Sequence, residues 1–354
     1  MALSPTGDNR SVEQITCVLS AILGNRTMSR LIAATMDQMG VENRTLWFNG
    51  SVYARHHAPW LLKRSSALES VYVARKWLRG CALDGPVVAN GYGLALAGQW
   101  DRCAVATDTT PALVLRTARL GGRTVHAFLH GQFRRLVPKV QAWLPLSGLV
   151  KRSLIEDYGV LEERCLVTRA PQPRITATPK PQSGNLLFVG NDFHRKGGHI
   201  LLECFTRKLL PDHRLIIVSN DPLLSNTPLP TGVQVIAGVT DPNALNQVYQ
   251  ASDLLVLPTR YDWYSFVICE AAAHGVPSLA TRVGGIGELL DESGGLSLPK
   301  SCDAEILAEH VKRALRDGHS ERAARAGKFA QELLSLQKFE ETMRLTISRL
   351  QGTR

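Results

Sequence analysis

The chain has 354 residues, of which 44% are hydrophobic and 20% charged, with a formal net charge of +10. Its length predicts two domains, because single cores stop growing near ~250–300 residues, and its composition excludes a disordered chain. No apolar run approaches the ~18–20 residues that span a bilayer, so the sequence does not read as a membrane-spanning protein.

The first apolar run, Ile15–Leu23, is short and follows Asp8, Arg10 and Glu13 rather than the basic start of a signal peptide. It reads as a buried first strand. From there, short β-branched runs alternate with helix-length amphipathic segments, the pattern of βαβ units and parallel sheets. In the first half, strands are predicted at Ile15–Leu23, Arg44–Phe48, Pro86–Asn90, Cys103–Thr107, Thr124–Leu129, Ala142–Pro145 and Arg164–Thr168. Helices are predicted at Met28–Met39, Ser66–Leu78, Pro111–Leu120 and Gly148–Asp157.

Between Ala170 and Gly184 lie Pro171, Pro173, Pro179 and Pro181, which forbid a continuing helix or central strand and mark a linker. Beyond it, strands are predicted at Asn185–Val189, Arg214–Val218, Val233–Ala237, Leu254–Leu257 and Pro277–Ala280, with a short one at Gly295–Leu298. Helices follow at Gly198–Thr206, Pro242–Ala251, Ser265–His274, Ile286–Leu290 and Ala304–Asp317, and Ser320–Arg354 is mostly helix-forming. The fold class is therefore α/β, with domains expected at 1–172 and 173–335 and a C-terminal helical segment, 336–354, that could pack back on the first domain. Two Rossmann-like domains with parallel sheets facing across a deep cleft would bind ligands beyond the carboxyl ends of their strands.

Cys17, Cys81, Cys103, Cys165, Cys204, Cys269 and Cys302 are scattered, odd in number and free of Cys-x-x-Cys spacing. This speaks against a disulfide framework or a zinc site and makes the cytoplasm the expected location. The positive charge predicts an anionic partner: ligand phosphates, an acidic membrane surface or nucleic acid. Arg134, Arg135, Lys139, Lys151 and Arg152 cluster, but without the interleaved aromatics of a nucleic-acid platform. A solvated basic face and a membrane-facing patch both remain open, and a nucleic-acid partner is not expected.

Two segments carry the signs of chemistry. Leu186-Leu-Phe-Val-Gly-Asn-Asp-Phe-His-Arg-Lys-Gly-Gly-His199 places Gly190 at a strand end, then Asn191, the pair Arg195-Lys196, and two glycines opening a helix. Helix-start amides and adjacent cations hold phosphate oxygens, although a plain glycine-rich turn has the same local pattern. In the second segment, Asp262 sits in a loop after Leu257 and Glu270 follows inside a small-residue helix beginning near Ser265. One acid at the loop tip and one in the second helical turn can face one ligand, and carboxylates accept hydrogen bonds from vicinal hydroxyls. The first amides, at Ser265, Phe266 and Val267, could hold phosphates between them. Asp262 as a helix cap and Glu270 as a surface residue is the simpler alternative.

Taken together these segments resemble the donor-binding half of retaining glycosyltransferases of the GT-B fold, the group that includes glycogen synthases and bacterial α-mannosyl- and α-glucosyltransferases. The resemblance rests on Gly190 and Lys196-Gly197, Val248-Tyr-Gln-Ala-Ser-Asp253, Pro258-Thr259, Asp262 with Glu270-Ala271, Gly275-Val-Pro277 and Gly284-Gly-Ile-Gly-Glu288, in order across residues 185–290. A weaker echo runs from Leu146 to Val160, and His130 in Phe128-Leu-His-Gly131 resembles the family's cleft-facing histidine at a strand end. Gly24 stands where the family has a glycine-rich loop near the donor diphosphate, and a capped histidine or an ordinary turn fits these two positions as well. Three positions depart: Asn191 replaces the usual cation after the first glycine, Asp262 replaces the commoner Glu, and Ser219-Asn220 replaces a glycine.

The resemblance implies transfer of a hexose from a UDP- or GDP-sugar to a glycan, glycolipid or small-molecule acceptor, with retention of configuration. Lys196, helped by Arg195, would neutralise the leaving diphosphate, Glu270 would bind the ribose, and Asp262 the transferred sugar. The amides of Ser265–Val267 and of Gly284 and Gly285 would complete the cradle, the acceptor would come from the N-terminal domain, and closure over the cleft would exclude water. No metal or other cofactor is expected, and peripheral contact with an anionic membrane follows from the charge and the family's habits. A nucleotide-sugar epimerase and a non-catalytic binding protein on the same scaffold are the alternatives.

Overall fold

The computed structural model describes residues 14–21, 25–49, 66–81, 83, 85–98, 100, 102–117, 123–173, 182–239 and 241–352. The chain divides into two compact units, one formed by residues 1–145, 150–168 and 340–354, the other by 146–149 and 169–339. Among the described residues, no helix is long and apolar enough to cross a membrane, and the seven cysteines are free thiols.

In the first unit, β1 (Ile15–Ser20), β2 (Asn43–Phe48), β3 (Val87–Asn90), β4 (Cys103–Thr107) and β5 (Val140–Pro145) form one parallel sheet in the order β2-β1-β3-β4-β5. Every residue of β1, β3 and β4 is buried, as a strand covered on both faces by crossover helices must be. The connecting helices include α1 (Asn25–Gln38), α2 (Ser66–Leu78), α3 (Tyr92–Gly98), α4 (Pro111–Thr117), α5 (Arg123–Leu136) and α6 (Gly148–Tyr158).

Two expected strands are absent. Thr124–Leu129 is β-branched and aromatic, but the segment continues with Leu129, Phe133 and Leu136 at helical spacing, and all three are buried in α5. Burying that stripe along one face outweighs the local strand preference, and Phe128 points outward, 57% exposed. Arg164–Thr168 follows a 3-10 turn at Glu162–Arg164 and runs beside β5, with Leu166 N donating to Trp143 O and Thr168 N to Pro145 O at 2.8 Å each, but its pairing amounts to an isolated bridge, Cys165 to Trp143. The short α3 carries no periodicity from which it could have been read.

In the second unit, β6 (Asn185–Val189), β7 (Arg214–Val218), β8 (Val233–Ile236), β9 (Leu254–Leu257), β10 (Ser278–Thr281) and β11 (Leu296–Leu298) form a parallel sheet ordered β11-β10-β9-β6-β7-β8. The chain winds outward from β6 through β7 to β8, then returns to β9 on the other side of β6. The carboxyl ends of β6 and β9 therefore flank the point where the winding reverses, where a doubly wound sheet opens a crevice. At the other end of these two strands, Asp253 at the entrance to β9 holds them together. Its Oδ2 accepts from Ser183 N at 2.9 Å, Ser183 Oγ at 2.9 Å and Asn185 N at 3.0 Å, which ties the start of β6 to the start of β9.

The helices of this unit are α7 (Gly198–Cys204), α8 (Pro242–Ala251), α9 (Phe266–Ala273), α10 (Ile286–Ser293), α11 (Ala304–Arg316) and α12 (His319–Leu333). The last helix, α13 (Leu336–Gly352), crosses from the second unit's residues into the first's.

Candidate functional site

The loops that leave β6 and β9 carry the residues singled out in the sequence. After β6, Gly190 leaves room for Lys196, since a Cβ there would lie 2.5 Å from the lysine Cδ. The loop closes on itself: Lys196 N donates to Asp192 O at 2.9 Å, and Arg195 Nε donates to Asp192 Oδ2 at 2.7 Å. Gly197, at φ +80°, follows, and a Cβ there would meet Pro258 O at 2.0 Å. Only glycine lets the β6 loop and the β9 loop approach this closely.

From the β9 side, Arg260 N donates to Arg195 O at 3.0 Å and Arg195 Nη1 donates to Tyr261 O at 2.5 Å, so the loops are cross-linked. This brings Lys196 Nζ to 3.5 Å from Asp262 Oδ2, each side chain only 15% exposed. That carboxylate oxygen is buried and has no hydrogen-bond partner. Gly284, at φ +54°, packs on the same loop, where a Cβ would meet Asp262 O at 1.9 Å. Glu270 lies in the second turn of α9, and its Oε2 accepts from Tyr249 Oη at 2.6 Å. Burial pushes the Glu270 carboxyl above its ordinary range, against the opposing effects of the Tyr249 hydrogen bond and the Lys196 charge. Lys196 thus faces both acids, and the three side chains share one corner at the winding reversal.

At the start of α9, Ser265 is the cap residue, yet its buried Oγ has no hydrogen-bond partner. The first amides of any helix lack intrahelical acceptors, so Phe266 and Val267 leave donors at the start of α9. Lysine, helix-start amides and two carboxylates form a cradle suited to a phosphate bracketed by hydroxyl-bearing groups.

Residues 183–317 match the family model described as glycosyl transferases group 1. That stretch is a group 1 domain. An uncharacterised glycosyltransferase of Methanocaldococcus jannaschii is 30% identical over 142 residues, which is 37% of this chain and 36% of that protein. Matches to the curated relatives cover between 22% and 57% of their own lengths. Among solved structures, sucrose-phosphate synthase from Thermosynechococcus elongatus superposes with a TM-score of 0.72 at 15% identity, covering 97% of this chain and all of that one. Anabaena Alr3699/HepE in complex with UDP-glucose superposes with a TM-score of 0.67 at 15% identity, covering 95% of this chain and 99% of that one. The two parallel-sheet α/β units are those of the GT-B fold.

Within the group 1 domain, several expected roles fall out differently. Arg195 spends its guanidinium on Asp192 and the Tyr261 carbonyl, so it acts as a brace between loops rather than as a cation standing beside Lys196. Asn191 is likewise occupied, its Oδ1 accepting from Asn220 N at 3.0 Å, while Asn220 Oδ1 accepts from Gly238 N at 2.6 Å. The departures at Asn191 and Ser219-Asn220 thus belong to one hydrogen-bonded chain across the ends of β6, β7 and β8. The Gly285 amide donates to Trp263 O at 2.9 Å and stitches the turn to the Asp262 loop instead of pointing a free donor at a ligand. Glu288 is structural too: it accepts from the amides of Gly148 and Leu149 at 2.9 and 3.3 Å and pairs with Arg169 at 2.7 Å.

In the first unit, His130 lies on α5 and not at a strand end, with its Nδ1 at 2.8 Å from Tyr158 Oη. Burial and the nearby Arg134 lower its pKa. Gly24 lies outside the described residues. This unit has its own cavity of about 200 Å³ at the carboxyl ends of β1 and β3, where its winding reverses. Asn25, Asn90, Tyr92, Asp108 and Thr109 line it with amides, hydroxyls and a carboxylate. Sequence reasoning missed this cavity because its lining comes from four separated segments with no motif in common.

Proposed function

We propose that this protein is a glycosyltransferase that moves a hexose from a UDP- or GDP-sugar to an acceptor hydroxyl with retention of configuration. The observation that carries the reading is the convergence of Lys196, Asp262 and Glu270 at the winding reversal of the group 1 domain. In it, Lys196 and the first amides of α9 take the diphosphate and stabilise the charge that develops as the sugar–phosphate bond breaks. Glu270 accepts from the ribose hydroxyls and Asp262 from those of the transferred sugar. The lysine and the helix end supply the positive charge, so the reading requires no metal. A UDP-sugar donor has support from the similarity to Alr3699/HepE, solved with UDP-glucose. The family match favours transfer over epimerisation.

The polar cavity of the first unit is assigned to the acceptor, a glycan, glycolipid or small molecule rich in hydroxyls. Turnover of a panel of UDP- and GDP-sugars with mixed acceptors tests the reading. Glu270→Ala is expected to weaken donor binding by about 10–100-fold, the loss of a charged hydrogen-bond acceptor. Affinity for every nucleotide sugar left unchanged by that substitution would refute the assigned site.

Peripheral attachment to an anionic inner membrane face is part of the same reading. On α5 the exposed Phe128 precedes the exposed cations Arg134 and Arg135, with Lys139 just beyond. Co-sedimentation with anionic liposomes is expected at low salt, reduced by Arg134→Glu/Arg135→Glu and absent on neutral liposomes. No binding to anionic liposomes at low salt would end it.

A further inference from the structure

Glu270 receives its hydrogen bond from a tyrosine that is only 1% exposed. Tyr249 comes from α8, the helix that leads into β9, and its ring is stacked on His274 with centroids 5.0 Å apart at 19°. His274 is held in turn: its Nδ1 lies 2.7 Å from Glu270 O, a carbonyl that can only accept, so Nδ1 carries the proton. Burial also lowers the imidazole pKa, and its buried Nε2 has no hydrogen-bond partner. The neutral ring therefore acts as a flat, fixed wall for the phenol. Desolvation and the adjacent carboxylate hold the Tyr249 hydroxyl protonated, and so it is the donor.

We infer that Tyr249 is a positioning residue of the transfer reaction, fixing the orientation of the Glu270 carboxylate through its hydroxyl and favouring the charged form, with His274 setting the tyrosine in place. The inference rests on the proposed function, in which Glu270 receives the ribose. A glutamate on a helix has three torsions, and without an anchor its carboxylate would sample several rotamers. Tyr249 occupies Oε2 and so limits the rotamers open to the carboxylate. Two effects favour the ionised form against burial, the Tyr249 hydrogen bond and Lys196 from the β6 loop. The other titratable groups packed around it are the Cys269 thiol, pushed up to about 12 and neutral, and His274, also neutral. Asp262 bears on it through its pairing with Lys196.

The test is the pH dependence of UDP and GDP binding, by titration calorimetry, and of donor kcat/KM. Tyr249→Phe keeps the ring and its stacking and removes only the donor. The Glu270 pKa then rises further, so binding is lost earlier as pH falls, and the acid limb moves up by about one pH unit, equal to a tenfold change in the proton equilibrium. A site-specific 3-fluorotyrosine at 249, a stronger acid of nearly the same size, is expected to move the limb the other way, and it serves even where the Phe variant folds poorly. In a Glu270→Gln background neither change should shift the profile. Profiles that superimpose on the wild type, or shifts that persist with Gln at 270, would overturn the inference. Wild-type protein with no affinity for either nucleotide would instead remove the functional reading, and the inference with it.

Discussion

Replacing Lys196 by alanine is expected to lower kcat by about 10²–10³-fold, the cost of removing one preorganised charge from a developing anion. The lysine is tethered at its backbone through Asp192 O and laid along Gly190, so its ammonium arrives at one place with little rotamer freedom to lose. Its removal also strips Asp262 of its counter-charge, leaving a buried carboxylate oxygen with neither hydrogen bond nor ion pair. The two losses separate in a double-mutant cycle: Lys196→Ala and Asp262→Asn should couple, because they share one contact. Lys196→Arg should rescue poorly, since a planar fork does not fit the path across Gly190 that the straight lysine stem follows. A donor with a better leaving group than a nucleoside diphosphate should recover much of the rate if the lysine serves the departing phosphate. Steady-state kinetics decide it, and a kcat within about threefold of wild type for Lys196→Ala would remove the lysine from the chemistry.

Gly284→Ala is the second large effect. The position has φ +54°, which an alanine adopts only with strain of about 1–3 kcal/mol. A methyl would also stand 1.9 Å from Asp262 O, a backbone atom that cannot swing aside as a flexible side chain would. The Asp262 loop must therefore shift, which adds about 1–3 kcal/mol of overpacking and displaces the carboxylate from Lys196. Gly238→Ala is the control, because it has φ +69° but nothing within 4 Å of the added methyl, so it bears only the backbone cost. Calorimetry of the second unit's unfolding, with donor titration alongside, should show Gly284→Ala well below Gly238→Ala in stability and at least about tenfold weaker in donor affinity, as misplacement of a positioned group implies. Equal stability and affinity for the two variants would show that the turn does not hold the loop.

Much of the fold is legible in the sequence. Runs such as Leu254–Leu257 are buried at every position, and a strand covered on both faces shows itself as an unbroken apolar run. The failures have the same origin. Thr124–Leu129 resembled such a run, and only the buried stripe continuing to Phe133 and Leu136 made it a helix. Gly190, Lys196, Asp262 and Glu270 could be singled out from local pattern, a glycine at a strand end, a charge at a helix start and an acid on a particular helical turn, while Gly284 was drawn in by the resemblance to a known family.

The roles of Arg195, Asn191, Gly285 and Tyr249 were not legible, because each depends on a partner far away in the chain: Tyr261, Asn220, Trp263 and Glu270 respectively. Spacing along the sequence shows which residues could bear charge or accept a hydrogen bond. Whether a guanidinium faces a phosphate or a carbonyl is decided by where the strand order reverses and which loops are thereby pressed together. The amino-acid order alone thus determined two parallel α/β units and which charged and hydrogen-bonding residues stand on the β6 and β9 loops. The tertiary structure decided which of those groups remain available to a ligand, since buried polar groups must be satisfied by whatever neighbour the packing supplies.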